Sequence, residues 1–253
     1  KLNLNFAKQL SYGVTLAGIV QLIFLFFVTL KFYKPTLNFK LKTNGKVKLF
    51  FRKLLPSIFS SGVTQINILI GTIIASFETG AVSYLYYADR IYQINLAIAG
   101  IAVGTVSLPA LSMAYKNKNI KRLSNIQSKS FELSLLLSIP ASLGLILASE
   151  EIVNALFGYG SFSIEDVKKT GDALKYFGYG VPAFALVKIL SNFFFARDNT
   201  KTPFYISTLI VIINISISIS LFSSFGFIII PIATSIATWI GVLFYIYLLN
   251  QKK

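Results

Sequence analysis

Neither cysteine nor histidine occurs among the 253 residues. Their absence removes disulfides, thiolate or imidazole metal ligands, and every Cys-His or Ser-His-Asp nucleophilic arrangement. Hydrolytic catalysis is therefore disfavoured, and neither an enzyme activity, a cofactor nor a metal centre is expected. No GxxxxGK[ST] loop is present either, so nothing supports transport driven by ATP hydrolysis on this chain. An ion gradient, the membrane potential or a substrate gradient would have to supply the energy. Methionine occurs once, at Met113, while the chain opens at Lys1, so further sequence upstream is expected. Acidic residues are scarce, 9 against 24 Lys and Arg, which leaves a net charge of +15.

Apolar side chains fill the rest. The chain is 55% hydrophobic and 15% aromatic with only 13% charged residues, and its mean hydropathy is +0.69. That composition describes an all-α polytopic transmembrane bundle. A hydrocarbon core about 30 Å thick needs roughly 20 apolar residues in a helix, leaving room for about seven spans. They are read at 11–30, 54–77, 81–115, 131–148, 174–195, 203–225 and 227–249. The third is too long for a straight perpendicular crossing and is expected to tilt, bend or protrude, with Gly100, Gly104 and Pro109 as bending points. Between the fourth and fifth spans, Ile152, Val153, Leu156 and Phe157 have the spacing of one helix face, with Gly158-Tyr159-Gly160 as a stop. This short helix either lies flat in the interface or closes the outer face of the bundle.

Lys and Arg concentrate in alternate connections, 31–53, 116–129 and 197–201, and at 252–253. Most acids, including Glu78, Glu150, Glu151, Glu165, Asp166 and Asp172, fall in the others. The positive-inside rule then puts the C-terminus in the cytoplasm. Basic residues spread over alternating loops argue against a nucleic-acid stripe, although some would touch anionic membrane lipids.

One pair breaks the apolar pattern. Asp89 and Arg90 are the only charged residues in 81–115. A charge at bilayer depth costs at least about 2.5 kcal/mol on insertion scales, so it normally faces a bundle interior or a watery cavity and marks function. The plainer alternative is that the pair only holds helices together.

The motifs around that pair carry a resemblance. Gly62-Val63-Thr64-Gln65-Ile66-Asn67, then Tyr86-Tyr87-Ala88-Asp89-Arg90, Gly104-Thr105-Val106-Ser107-Leu108-Pro109, Leu156-Phe157-Gly158-Tyr159-Gly160-Ser161-Phe162 and Ala196-Arg197-Asp198-Asn199-Thr200-Lys201-Thr202-Pro203 stand in order. From about residue 10 to 250 the chain resembles the MurJ (MviN) lipid II flippases of the multidrug/oligosaccharidyl-lipid/polysaccharide exporter superfamily.

The resemblance implies two six-helix lobes around a central cavity in the bacterial cytoplasmic membrane. Residues 1–33 would be the last span of the first lobe, 34–53 a basic cytoplasmic loop and 54–250 the second six-helix lobe. Neither the rest of the first lobe nor the two additional C-terminal helices of many members lies within these residues. The N-terminal lobe and lipid II, or a similar polyprenyl-diphosphate lipid, are the implied partners. Arg90 would contact the diphosphate, since guanidinium stays charged and presents paired donors to phosphate oxygens. Asp89 would orient a cation on another helix. Gln93 stands where relatives often have Glu, which removes an acid but keeps hydrogen bonding. Lys188 would line the cavity or snorkel toward the cytoplasmic interface.

Some relatives are thought to bind sodium through the second, sixth and seventh spans. Gly71 occupies the matching carboxylate position here, while Asn214 and Ser218 stand where an Asn and Asp pair can occur. Hard cations prefer charged oxygens, so Gln65, Asn67, Asn214 and Ser218 are read first as interhelical hydrogen-bond partners and second as a cation site. Two alternatives to lipid II transport fit the same sequence: an exporter of another polyprenyl-linked saccharide or a small cation, and a non-transporting membrane scaffold.

Overall fold

A computed structural model describes residues 2–33, 45, 47 and 65–251. The chain divides into two units, Lys1–Leu49 and Phe50–Lys253. In the first unit, α1 (Leu2–Phe32) is one continuous helix. Its segment Ser11–Phe32 is 22 residues long with mean hydropathy 2.3, enough to cross the hydrocarbon core. Apolar side chains lie all around it, from Tyr12 and Leu16 to Phe27, the pattern of a membrane span and not of an amphipathic surface helix.

The described part of the second unit is built of helices joined by short turns. It runs α2 (Gln65–Ala75), α3 (Ala81–Leu96), a π-helical segment (Ala97–Ala102), α4 (Val103–Lys116), α5 (Ile120–Leu147), α6 (Ser149–Phe157), α7 (Ile164–Phe195), α8 (Lys201–Phe225), a 3-10 turn (Gly226–Ile228) and α9 (Ile229–Asn250). Across the described residues of the chain, five continuous helical runs are long and apolar enough to span a membrane, the last holding both α8 and α9. The first part of the expected second span, 54–64, lies outside the described residues.

Helix α7 is the axis of the bundle. About three quarters of its apolar window is buried, 72%, against 33% for α3–α4 and 28% for α5. Its Phe177 and Phe184 enter one apolar cluster with Ile91, Leu145 and Phe227. Ile189, Leu190 and Phe194 enter a second with Leu111 and Tyr245. Pro182 lies inside α7 and cannot donate to the Gly178 carbonyl four residues back. Ser142 of α5 supplies that hydrogen bond at 2.7 Å. Nearby, Ser235 Oγ donates to the Tyr176 carbonyl at 2.8 Å and Trp239 Nε1 to that of Tyr179 at 3.0 Å, so neighbouring helices bind the backbone around the proline.

Two spans begin earlier than hydropathy suggested. α7 starts at Ile164 rather than 174, because Ser163 and Asp166 form a reciprocal capping box. α5 starts at Ile120 rather than 131, where Asn119 Oδ1 accepts from the Arg122 N–H at 2.9 Å. In both extensions one face carries charge, which lowers mean hydropathy without opposing helix formation. The short helix α6 buries Val153 in the bundle, and Leu156 remains exposed.

The turns α4–α5 and α7–α8 share one construction. Lys118 (φ 52) and Asp198 (φ 55) adopt left-handed backbone, while the N–H groups of Asn119 and Asn199 bond back to the carbonyls of Ala114 and Phe194, each at 3.0 Å. Asn199 Oδ1 then accepts from the Thr202 N–H at 3.1 Å, as Asn119 does for its own helix. Each asparagine thus closes one helix and starts the next. At the opposite end, Glu78 Oε2 accepts from the Phe227 N–H at 2.9 Å, beside Gly226 at φ 59 and ψ −150, a conformation open essentially to glycine alone.

Candidate functional site

Helix α3 sorts its residues by angle. Ala81, Ala88 and Ile91 are buried against the bundle. Tyr86, Arg90, Gln93 and Ile94 are exposed, at the i, i+4, i+7, i+8 spacing of a single face. Asp89 is half-buried between these sides. Below them the helix continues to Lys116 without a break, with Gly100 in the π-helical segment and Pro109 inside α4. A side chain at Gly100 would put its Cβ 3.1 Å from the Ala185 Cα of α7, so this close approach needs glycine.

Adjacent helical residues diverge by about 100°, and Asp89 and Arg90 form no ion pair. The ion pair found among the described residues is Lys169–Glu165, at 2.9 Å. Arg90 therefore has no carboxylate partner among the described residues. Its Nη2 donates to the Tyr86 hydroxyl at 3.1 Å, and its guanidinium carbon lies 4.7 Å from the centre of the Tyr86 ring. Asp89 is held within its own helix: Gln93 Nε2 donates to Asp89 Oδ2, and Tyr92 is a second hydrogen-bonding neighbour. Tyr92 in turn stacks on Phe177 and Phe184 of α7, with centroids 4.7 and 5.3 Å away. Arg90 and Gln93 thus share a face, with Asp89 behind them.

Lys188 is exposed on α7 but does not join this group. Tyr92 meets Phe177 and Phe184, while Asn192 Nδ2 bonds to the Gly104 carbonyl at 2.9 Å. Helices α3–α4 and α7 therefore run parallel, and Lys188 lies level with residues 100–104, roughly 15–20 Å from Arg90 at 1.5 Å per residue.

Asn214 and Ser218 are buried together on α8. Asn214 Nδ2 donates to Asn67 Oδ1 of α2 at 2.9 Å. Its Oδ1 accepts from Ser218 at 3.3 Å and lies 3.5 Å from the Thr234 hydroxyl of α9. The Asn67 and Thr234 contacts are interhelical, as expected first, and join three helices through neutral groups, whereas the Ser218 bond stays within α8. Gln65 is exposed at the described start of α2. Tyr86, Tyr92 and Thr234 are additions to the residues singled out from sequence. The i, i+4 spacing of Tyr86 and Arg90 was the available signal for the first.

The family profile described as "Lipid II flippase MurJ" matches residues 1–253. The "Probable lipid II flippase MurJ" of Rhizobium meliloti (strain 1021) is 40% identical over 241 residues, covering 93% of this chain and 44% of that protein. Its namesake in Rickettsia prowazekii (strain Madrid E) is 39% identical over 249 residues, covering 97% and 48%. A solved structure, "Lipid II flippase MurJ, inward closed conformation", superimposes with a TM-score of 0.75 at 31% identity, over 90% of this chain and 48% of that one. The chain spans about half the length of the curated relatives it matches. A profile match along the whole chain and a helical membrane fold shared with a solved member agree, and the chain belongs to the lipid II flippase MurJ family.

Proposed function

We propose that this chain forms the second lobe of a lipid II flippase together with the last helix of the first lobe. The whole transporter would carry an undecaprenyl-diphosphate-linked saccharide from the cytoplasmic to the outer leaflet of the bacterial cytoplasmic membrane. In this reading, residues 1–33 belong to the first lobe, 34–53 form a basic cytoplasmic connection, and 54–250 make the second lobe, with the C-terminus in the cytoplasm. The supporting observation is Arg90, a fixed cation on the exposed face of an apolar helix without a carboxylate partner among the described residues.

A diphosphate suits that cation. Guanidinium keeps its charge, and its planar N–H groups match phosphate oxygens in pairs. Gln93 adds a neutral amide on the same face, occupied here by Asp89. Lys188, nearer the basic end of the bundle, would meet the headgroup first as it enters from the cytoplasm. Rocking of one lobe against the other would expose Arg90 to the cytoplasm and then to the outside, where the diphosphate leaves. The Asn67–Asn214–Thr234 contacts hold helices together in this scheme.

The test is Arg90→Ala in a complete flippase carrying this sequence. Lipid II translocation should be lost while the protein reaches the membrane at parental level. Unchanged complementation of a flippase-depleted cell would overturn the assignment of Arg90. In proteoliposomes, translocation of a different polyprenyl-linked saccharide with no movement of labelled lipid II would transfer the reading to that substrate.

A further inference from the structure

The contacts of Arg90 lead away from the ligand face along a series of aromatic rings. Tyr86, one turn earlier, offers its ring to the guanidinium at 4.7 Å and its hydroxyl to Nη2 at 3.1 Å. Tyr86 meets Tyr87 edge-on, 6.1 Å between centroids at 78°. Tyr87 in turn packs on Phe157 at 4.8 Å and, at 88°, on Phe162 at 5.4 Å. Those two phenylalanines bound the Gly158-Tyr159-Gly160-Ser161 segment between α6 and α7.

We infer that Tyr86 is a positioning residue for anion binding, holding the Arg90 guanidinium through its ring face while Tyr87, Phe157 and Phe162 steady that ring from behind. This rests on the diphosphate reading of Arg90. An arginine side chain has many rotamers, and an exposed one must be ordered when it takes up an anion. A ring beneath the guanidinium orders it beforehand and leaves its outer N–H edge to the ligand, so affinity improves without a new ligand contact. Tyr86 suits the task because it is itself 54% exposed. It reaches the ligand face, and truncating it opens no cavity in the core.

The experiment compares ring-less and ring-retaining variants in a complete flippase carrying this sequence. The two readouts are equilibrium binding of undecaprenyl diphosphate and the rate of labelled lipid II translocation against lipid concentration. Tyr86→Leu should raise the dissociation constant and the half-saturating concentration about three- to tenfold, with the maximal rate and membrane level close to parental. Tyr86→Phe keeps the ring and should stay within about twofold of the parent. Tyr86→Gln serves as a second ring-less form should Tyr86→Leu fail to accumulate. Parental binding in the ring-less variants, or an equal loss in Tyr86→Phe, overturns the role of the ring. Arg90→Ala separates the two levels. If it too binds diphosphate like the parent, the site itself is misassigned; if it loses binding while Tyr86→Leu does not, only the positioning role falls.

Discussion

At the scale of single residues, the chain separates two opposite charges that are neighbours in sequence. Arg90 lies on the open face of α3, and Asp89 turns toward Tyr92 and the bundle. Their environments make different demands on substitution. Asp89→Asn keeps an oxygen that can accept from Gln93, so thermal stability in detergent should stay within about 1 kcal/mol of the parent. Asp89→Leu removes the acceptor and leaves donors on a half-buried face, and should cost about 1–3 kcal/mol. An equal loss in Asp89→Asn and Asp89→Leu would show that charge, not hydrogen bonding, holds this position. Sequence made Asp89 and Arg90 visible because a charge in an apolar run is costly. It did not supply a partner for Asp89, since Gln93 looked like a ligand-facing residue before its amide was seen to bond backward along the helix.

At the scale of elements, the spans were legible where apolar residues accumulate and less so where charge begins. Hydropathy averages a window, whereas a helix continues as long as its backbone bonds and caps are satisfied. Ser163 with Asp166, and Asn119 with Arg122, carry α7 and α5 well past their apolar ends. The proline positions were legible, but not their partners, which come from distant helices. Ser142→Ala should leave the Gly178 carbonyl without its donor and lower stability by about 1 kcal/mol, measured as a fall in melting temperature in detergent. Gly226→Ala should cost more, about 1–3 kcal/mol, because its backbone conformation excludes other residues and a Cβ would lie 2.7 Å from Glu78 Oε2. Equal stability of Gly226→Ala and the parent would contradict that geometry.

At the scale of the molecule, the absence of cysteine offers a direct test of orientation, because a single introduced thiol is the only one in this segment. Ser161→Cys should react with a membrane-impermeant maleimide in intact cells, and Asn125→Cys only after permeabilisation; both positions are exposed. The reverse pattern would invert the topology inferred from the basic loops. The π-helical segment couples the two halves of the long helix more tightly than its apolar sequence suggests. A π segment carries one residue more per turn than the α-helix would, so it takes up that residue without changing the angular phase between everything above and everything below. Deleting one residue there, such as Ile98, would let the segment revert to regular α-helix and leave the upper half in nearly the same phase relative to the Gly104–Asn192 contact, whereas a deletion that a regular α-helix cannot absorb would rotate it by about 100°. That unabsorbed rotation would put Arg90 in the slot now filled by buried Ile91 and leave Asp89 in the exposed one. The π segment is thus a place where the long helix can lose a residue and still present a cationic surface instead of an anionic one.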